Sequence, residues 1–405
     1  MDALTQDMQS IHLGNEPLPQ EPAAQLLFNP LPDSGISSDA LKNIPRYLFR
    51  IVSPRSDGET DAEWMRSDAA ARNTVSSRAD IFTDLNPQNR SVIACTLNRH
   101  LRWWVKDEFD DNFVSWTSSL LFALQYIYYR HQSKKDRSSL DDIRLYTFLC
   151  DLDLINAFCG DISGPSDKDL KNLKQLRTGG TWYFGEYLSQ GSLRIADRHQ
   201  CIRATSLFQD GLLYRLQLLF PNIHTPVDGE PGWAKEVIRF REKIWPPAVI
   251  MPSSLPIEEI RNRLTAVGEI MRLFDPGWRF PLAVYFASLI EPAAEDLGAV
   301  AIGDFFRSED IQAEIEHVTF SEFRIIAPDT MPELTRAKEI VHRIYMDFLA
   351  SRVGEFVTEA KMLVRHLYPQ HMAELENAFP ITGPERTIFT RRVGNLLSRL
   401  GQLLC

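Results

Sequence analysis

The sequence predicts an α+β protein in which a mixed N-terminal part precedes an all-helical C-terminal part. Up to about residue 220, short aromatic and β-branched runs such as PRYLFRIVSP at 45–54 alternate with helical patterns. The segment 221–233 then carries three prolines and two glycines. Beyond it the apolar spacing is helical, most clearly over 332–367. At 405 residues the chain is long enough for more than one core.

This pattern divides the chain into four segments. Residues 1–44 are rich in Pro, Gln, Asp and Ser, and we predict that they are disordered. Residues 45–222 form the α+β domain, and 223–233 form a linker because Pro and Gly interrupt both helices and strands. Residues 234–405 form the helical domain.

The first half of the α+β domain is predicted from its apolar spacing. The run at 45–54 is a strand bounded by prolines. Residues 91–105 are a helix, since apolar side chains recur at spacings of three and four. A short strand over 113–116 leads into a helix over 118–131, and the Ser/Thr cluster between them is typical of a helix N-cap.

The second half of the domain continues in the same way. Residues 142–152 form a strand, and 181–195 form another strand with a turn at Gln190–Gly191. The run 206–220 closes the domain. His100 and His131 lie on predicted helices among aromatic residues and are interpreted as structural or surface residues.

Composition excludes several classes of function. The apolar fraction of 44% and the charged fraction of 24% are those of a soluble globular protein. A net charge of −10 argues against general binding to nucleic acid or to an anionic membrane, both of which need a basic face. The five cysteines form no CxxC pair and no zinc-ligand spacing, so no metal site is predicted. With neither a signal peptide nor a membrane span recognisable, the prediction is a cytoplasmic protein.

Three short motifs carry a chemical signal. A strand ends in Arg50, a second strand carries Ser115 and Thr117 on either side of Trp116, and a third carries Glu186 before a glycine turn. Their order resembles the Arg–Ser–Glu arrangement of the cholera-toxin-like mono-ADP-ribosyltransferases. The resemblance covers about 45–200 and implies an ADP-ribosyltransferase-like split β-sheet with NAD as co-substrate.

The same resemblance assigns roles to residues. It implies that Arg50 holds NAD and that Glu186 is catalytic, with Ser115 orienting it. Trp116, Thr117 and Tyr183 complete the implied cofactor site. Cleavage of the nicotinamide–ribose bond builds positive charge on the sugar, which a carboxylate stabilises, while an arginine fork suits a pyrophosphate.

The acceptor of the ADP-ribose stays open. Arginine-modifying members of the family carry an acid two positions before the catalytic glutamate, and that position is Phe184 in this chain. The acceptor is therefore left as an unknown small molecule or protein.

Two alternatives accompany this hypothesis. The runs VSWTSSLLFALQYIYYRH and YFGEYLSQGSL look like a group of filamentous-fungal proteins of unassigned function, which can lie in specialised-metabolite gene clusters. One cluster enzyme class, the arginine-containing cyclodipeptide synthases, uses aminoacyl-tRNA and depends on a DDxxE motif. Neither Asp110–Asp111 nor Asp141–Asp142 continues as that motif. The other alternative is a catalytically inert interaction module whose helical half binds a partner.

Overall fold

The sheets and helices confirm the α+β class. The computed structural model describes residues 24–31, 36, 41, 43–83, 87–102, 111–150, 153–158, 168–178, 181–217, 219–220, 232–246, 255–291, 295–308 and 329–367. The strands are β1 (Tyr47–Val52), β2 (Glu59–Thr60), β3 (Trp64–Arg66), β4 (Phe113–Thr117), β5 (Arg144–Leu149), β6 (Ile155–Asn156), β7 (Glu186–Gln190), β8 (Ser192–Arg194) and β9 (His199–Arg203).

Helices lie between the strands and follow them. They are α1 (Asp68–Ala71), α2 (Pro87–Arg102), α3 (Leu120–Gln132), α4 (Lys168–Thr178), α5 (Ala204–Phe208), α6 (Leu212–Gln217), α7 (Ala234–Ile244), α8 (Ile257–Met271), α9 (Arg279–Ser288), α10 (Glu295–Phe306) and α11 (Pro332–Leu367). Short 3₁₀ turns occur at Val75–Arg78 and Gln209–Gly211. None of the described helices is long and apolar enough to cross a membrane.

A six-stranded antiparallel sheet is the centre of the fold. Its strand order is β6–β7–β4–β1–β5–β9, and a smaller sheet has the order β2–β3–β8. The predicted strand at 181–195 is therefore two strands in two sheets. They separate at Gly191, whose φ of +55° lies in the left-handed region that favours glycine. Strand β9 was not predicted, because its sequence HQCIR lacks an apolar alternation.

Side-chain alternation along the strands separates two cores. In β1, Phe49 and Ile51 belong to the large core, whereas Leu48 belongs to a smaller core on the other side. In β4, Val114 and Trp116 likewise face the smaller core. Because side chains alternate along a strand, Ser115 and Thr117 face the opposite side, where α3 lies.

The predicted helical domain packs directly against the sheet. The ring of Tyr285 in α9 meets the ring of Phe49 edge-on, with centroids 5.1 Å apart. Both residues belong to one continuous core that also includes residues of α8 and α11. The α+β part and the helical part therefore share a core. The helix predicted over 332–367 is confirmed in its full length, whereas the predicted linker lies almost entirely outside the described residues.

Part of the segment predicted to be disordered is packed. Within residues 24–31, Leu26 donates its backbone N–H to the carbonyl of Ser192 at 2.9 Å. Phe28 is buried, with its ring centroid 5.4 Å from that of Phe82. Residues 24–31 are therefore packed, and most of the other residues of the segment 1–44 lie outside the described residues. The Pro-rich composition concealed this, because an isolated buried ring leaves no periodic pattern.

Candidate functional site

One cavity of about 540 Å³ opens beside the central sheet and is lined by side chains from several elements. Its lining includes Arg50 of β1, Ser115 and Thr117 of β4, and Glu186 of β7. Strands β1, β4 and β7 are neighbours in the sheet, which is why residues far apart in sequence meet here. Helix α2 contributes His100, and helix α4 contributes Arg177.

Arg50 presents a buried cation to this cavity. Its Nη1 donates to the carbonyl oxygen of Ser115 at 2.9 Å. Its Nε is buried and has no hydrogen-bond partner among the residues that the structure describes. Burial lowers the pKa of Arg50 to about 10, so the guanidinium stays charged at neutral pH. The charge of Arg50 beside the cavity favours an anionic ligand there.

Glu186 presents a carboxylate to the same cavity. It is the first residue of β7 and lies opposite Thr117 in the register. Burial raises the pKa of Glu186, and the nearby Arg177 opposes that effect. The Arg177 Nε lies 3.4 Å from Glu186 Oε1, while Oε2 is buried without a hydrogen-bond partner in the described part of the chain. The carboxylate of Glu186 therefore lines the cavity with Arg177 as its neighbouring cation.

The hydroxyl of Ser115 contacts a histidine. Its Oγ lies 2.6 Å from Nε2 of His100, and Nδ1 of the same ring lies 2.7 Å from Oδ2 of Asp111. His100 and Asp111 are both buried. The resemblance implied that Ser115 orients Glu186, but the contact formed by its hydroxyl is with His100.

An aromatic wall lies along the cavity, and Trp116 is among the lining residues, although most of its ring packs elsewhere. The Trp116 ring packs 5.0 Å from that of Phe148 in the smaller core, and its Nε1 donates to Ser189 Oγ at 3.0 Å. The alternation of β4 explains this, because Trp116 points away from Ser115. The wall is formed instead by Phe122, Tyr126 and Trp233, with the Phe122 and Trp233 rings perpendicular at 5.9 Å.

The other two predicted cofactor residues have local structural contacts. Thr117 lines the cavity, but its Oγ1 donates to the Phe184 carbonyl at 2.6 Å and accepts from the backbone N–H of Ser119. Tyr183 is not among the lining residues. Its hydroxyl donates to Asp329 at 3.1 Å and accepts from Asn156 at 2.8 Å. Tyr183 thus anchors the start of α11 and does not wall the cavity.

Sequence reasoning missed His100 and Asp111. His100 was interpreted as structural because it lies on a helix among aromatic residues, and Asp111 was considered only as part of an absent DDxxE motif. The position of Asp111 four residues before Ser115 was the available signal. Among the described residues, no group of three His, Cys, Asp or Glu side chains is arranged to hold a metal ion.

Comparison with known proteins gives one partial match. Residues 43–147 match a family model described as a domain of unknown function (DUF7587). The matched region contains Arg50, His100, Asp111 and Ser115, and it ends before Glu186. No curated protein and no solved structure matches the chain.

Proposed function

We propose that the cavity binds NAD and cleaves its nicotinamide–ribose bond, transferring ADP-ribose to water or to a second acceptor. The observation that carries this proposal is the meeting of Arg50, Ser115 and Glu186 at one cavity on three adjacent strands. An ADP-ribosyltransferase-like split sheet is part of the same proposal. The division between the six-stranded and the three-stranded sheet is consistent with it.

The two charged groups suit this chemistry in different ways. The guanidinium of Arg50 lines the cavity and supplies a positive charge suited to a pyrophosphate. The carboxylate of Glu186 lines the same cavity and, in this proposal, stabilises the positive charge that develops on the ribose. That task requires the ionised carboxylate, and the proximity of Arg177 counteracts the burial that raises the pKa of Glu186. Phe122 and Trp233 offer the aromatic side chains proposed to contact the nicotinamide ring.

The size of the cavity is compatible with this ligand. Its volume of about 540 Å³ lies within the usual range of about 300–1,000 Å³ for small-molecule sites. The lining carries both charges, with the cations Arg50, Arg130 and Arg177 and the acids Asp57, Asp68 and Asp136 among its residues.

The test separates binding from chemistry with two substitutions. Glu186→Gln keeps the shape and removes the charge, so release of nicotinamide should fall by about 10²–10³-fold while NAD binding persists. Arg50→Ala should instead weaken NAD binding in calorimetric titration, because it removes the buried donor. Glu242→Gln removes an exposed carboxylate of α7 by the same substitution and is the matched control.

Three outcomes distinguish the alternatives. Absence of binding at millimolar NAD by the folded wild-type protein contradicts the proposal. Turnover of aminoacyl-tRNA that is lost in Glu186→Gln would favour the cyclodipeptide-synthase type of enzyme. A folded protein that turns over neither substrate would favour an interaction module.

A further inference from the structure

The contacts of Ser115 form a continuous relay of three side chains from three parts of the chain. Asp111 lies in the segment before β4, His100 lies near the end of α2, and Ser115 lies in the middle of β4. The distance from Ser115 Oγ to His100 Nε2 is 2.6 Å, and His100 Nδ1 lies 2.9 and 2.7 Å from the two Asp111 oxygens. These are the distances required between a nucleophile, its base and the group that orients the base.

The direction of each hydrogen bond follows from chemistry. Asp111 is fully buried, and its Oδ1 also accepts from the backbone N–H of Phe113 at 3.1 Å, which fixes the carboxylate. An ionised carboxylate only accepts hydrogen bonds, so Nδ1 of His100 carries the hydrogen. In the neutral imidazole the lone pair is then on Nε2, and Ser115 donates its hydroxyl hydrogen to it.

The relay ends at the cavity. Both Ser115 and His100 line it, whereas Asp111 does not. A buried polar cluster that only stabilised the fold would have no need to end at a ligand-sized space. Arg50 lines the same cavity, and its positive charge suits a developing oxyanion.

We propose that Ser115 is a covalent nucleophile, with His100 as its general base and Asp111 as the residue that positions His100. The substrate class is a small carboxylic ester with a flat apolar group that packs against Phe122 and Trp233. The proposal does not rest on NAD binding, because the NAD hypothesis makes no use of His100 or Asp111.

The reaction has two balanced steps. The Oγ of Ser115 attacks the ester carbonyl carbon while its proton passes to Nε2 of His100, and the alcohol leaves with that proton as the C–O bond breaks. A water molecule then attacks the acyl-serine, giving a proton to His100. The carboxylic acid leaves, and Ser115 Oγ takes the proton back. No oxidant, reductant or metal is needed.

The first experiment is covalent labelling of the full chain with diisopropyl fluorophosphate. The expected result is one adduct per molecule, located at Ser115 by peptide mass mapping and lost in Ser115→Ala. His100→Gln should slow labelling by about 10²-fold or more, since general-base assistance contributes about 10²–10⁴-fold. Ser206→Ala, a half-buried serine of α5 outside the cavity, is the matched control and should label at the wild-type rate.

The second experiment uses only the wild-type protein and Ser115→Ala, so it does not depend on how well the His100 and Asp111 variants fold. p-Nitrophenyl acetate should give a burst of about one p-nitrophenolate per molecule with wild type, and none with Ser115→Ala. An acetyl group on Ser115 should be detectable by mass spectrometry after an acid quench. The proposal is overturned if folded wild-type protein gives no Ser115 adduct with millimolar fluorophosphate, or no burst with the ester.

Discussion

The buried carboxyl of Asp329 should contribute stability that increases as the pH is lowered from 7 to 5, which is opposite in sign to the usual contribution of a paired carboxyl. Asp329 is fully buried at the start of the segment that leads into α11. It accepts hydrogen bonds from the hydroxyl groups of Tyr183 and Tyr187 at 3.1–3.2 Å. Burial raises the pKa of Asp329 from 3.8 to about 6, although these hydrogen bonds oppose it.

The sign of the effect follows from proton linkage. The folded state binds the Asp329 proton more tightly than the unfolded state does, because the folded pKa is the higher one. Its stabilising contribution is therefore fully present below 3.8 and is lost as the pH rises through about 6. The shift of about two pKa units corresponds to about 3 kcal/mol in total, at 1.36 kcal/mol per unit. Between pH 7 and pH 5 the same linkage gives about 1.4 kcal/mol.

Asp329→Asn tests this magnitude, because Asn keeps the shape and one acceptor oxygen but does not titrate. The measurement is the free energy of unfolding in urea at pH 7 and at pH 5. Relative to Asp329→Asn, the free energy of unfolding of wild type should be about 1.4 kcal/mol higher at pH 5 than at pH 7. Asp142→Asn removes one exposed carboxyl by the same substitution and is the matched control. If wild type and Asp329→Asn show the same pH dependence, the argument from burial is wrong.

Three further predictions concern other parts of the molecule. Arg241→Met should lower the free energy of unfolding in urea by about 3–5 kcal/mol, because it leaves Glu333 buried without its cation. The double variant with Glu333→Leu should recover part of this loss, because it removes the buried charge. If Glu186 acts in its ionised form, the rate of nicotinamide release should decline as the pH falls through the raised pKa of Glu186. The rate measured for Glu186→Gln should not depend on pH in this range. Gly185→Ala should destabilise the folded protein by more than about 1 kcal/mol, because φ at Gly185 is +67° and the new Cβ would clash with Ser118. Thermal unfolding measures this loss, and Gly268→Ala in α8 is the control that should not show it.

Helices and strands could be predicted where the apolar spacing within one segment identifies them. Helix α11 and strands β1 and β4 follow from the apolar spacing of their own segments, and prolines bound the segment of β1. The cap of α3 follows from the Ser/Thr cluster, in which Ser119 accepts a hydrogen bond from the backbone N–H of Phe122. The strand order could not be predicted. It depends on pairing between segments far apart in sequence, as between β4 and β7, and no local preference encodes that choice.

The residues of the candidate site likewise divide into those that the sequence identifies and those that only the folded chain brings together. Arg50, Ser115 and Glu186 were identified because each stands out in a short strand, and all three line the cavity, while their roles stay predictions. His100 was missed because its importance depends on two contacts, to Asp111 and to Ser115, that only the folded chain creates. Tyr183 was placed in the site because it is next to the Glu186 strand. Its hydroxyl bonds Asp329 instead, a partner 146 residues away.

The C-terminal helices are a structural part of the site, because one buried ion pair holds both chain segments that flank the cavity. Arg241 of α7 and Glu333 of α11 pair at 2.6 Å, with side chains only 3% and 2% exposed. Glu333 also accepts from the hydroxyl of Ser119, the cap of the helix that follows Ser115. Arg241 donates to the carbonyl of Tyr183 at 2.7 Å, three residues before Glu186.

Movement of either helix would therefore act on the start of α3, which follows β4, and on the segment that leads into β7. A buried pair of this kind contributes little net stability, since desolvation offsets much of the attraction between the charges. The ion pair instead holds the segments that it contacts in fixed relative positions. Arg241 and Glu333 together contact the start of α3 and the approach to β7 through directional hydrogen bonds, which an apolar contact would not provide. The register between β4 and β7 sets the separation of Ser115 and Glu186, and the two helices that brace the neighbouring segments lie outside the region matched by the family model.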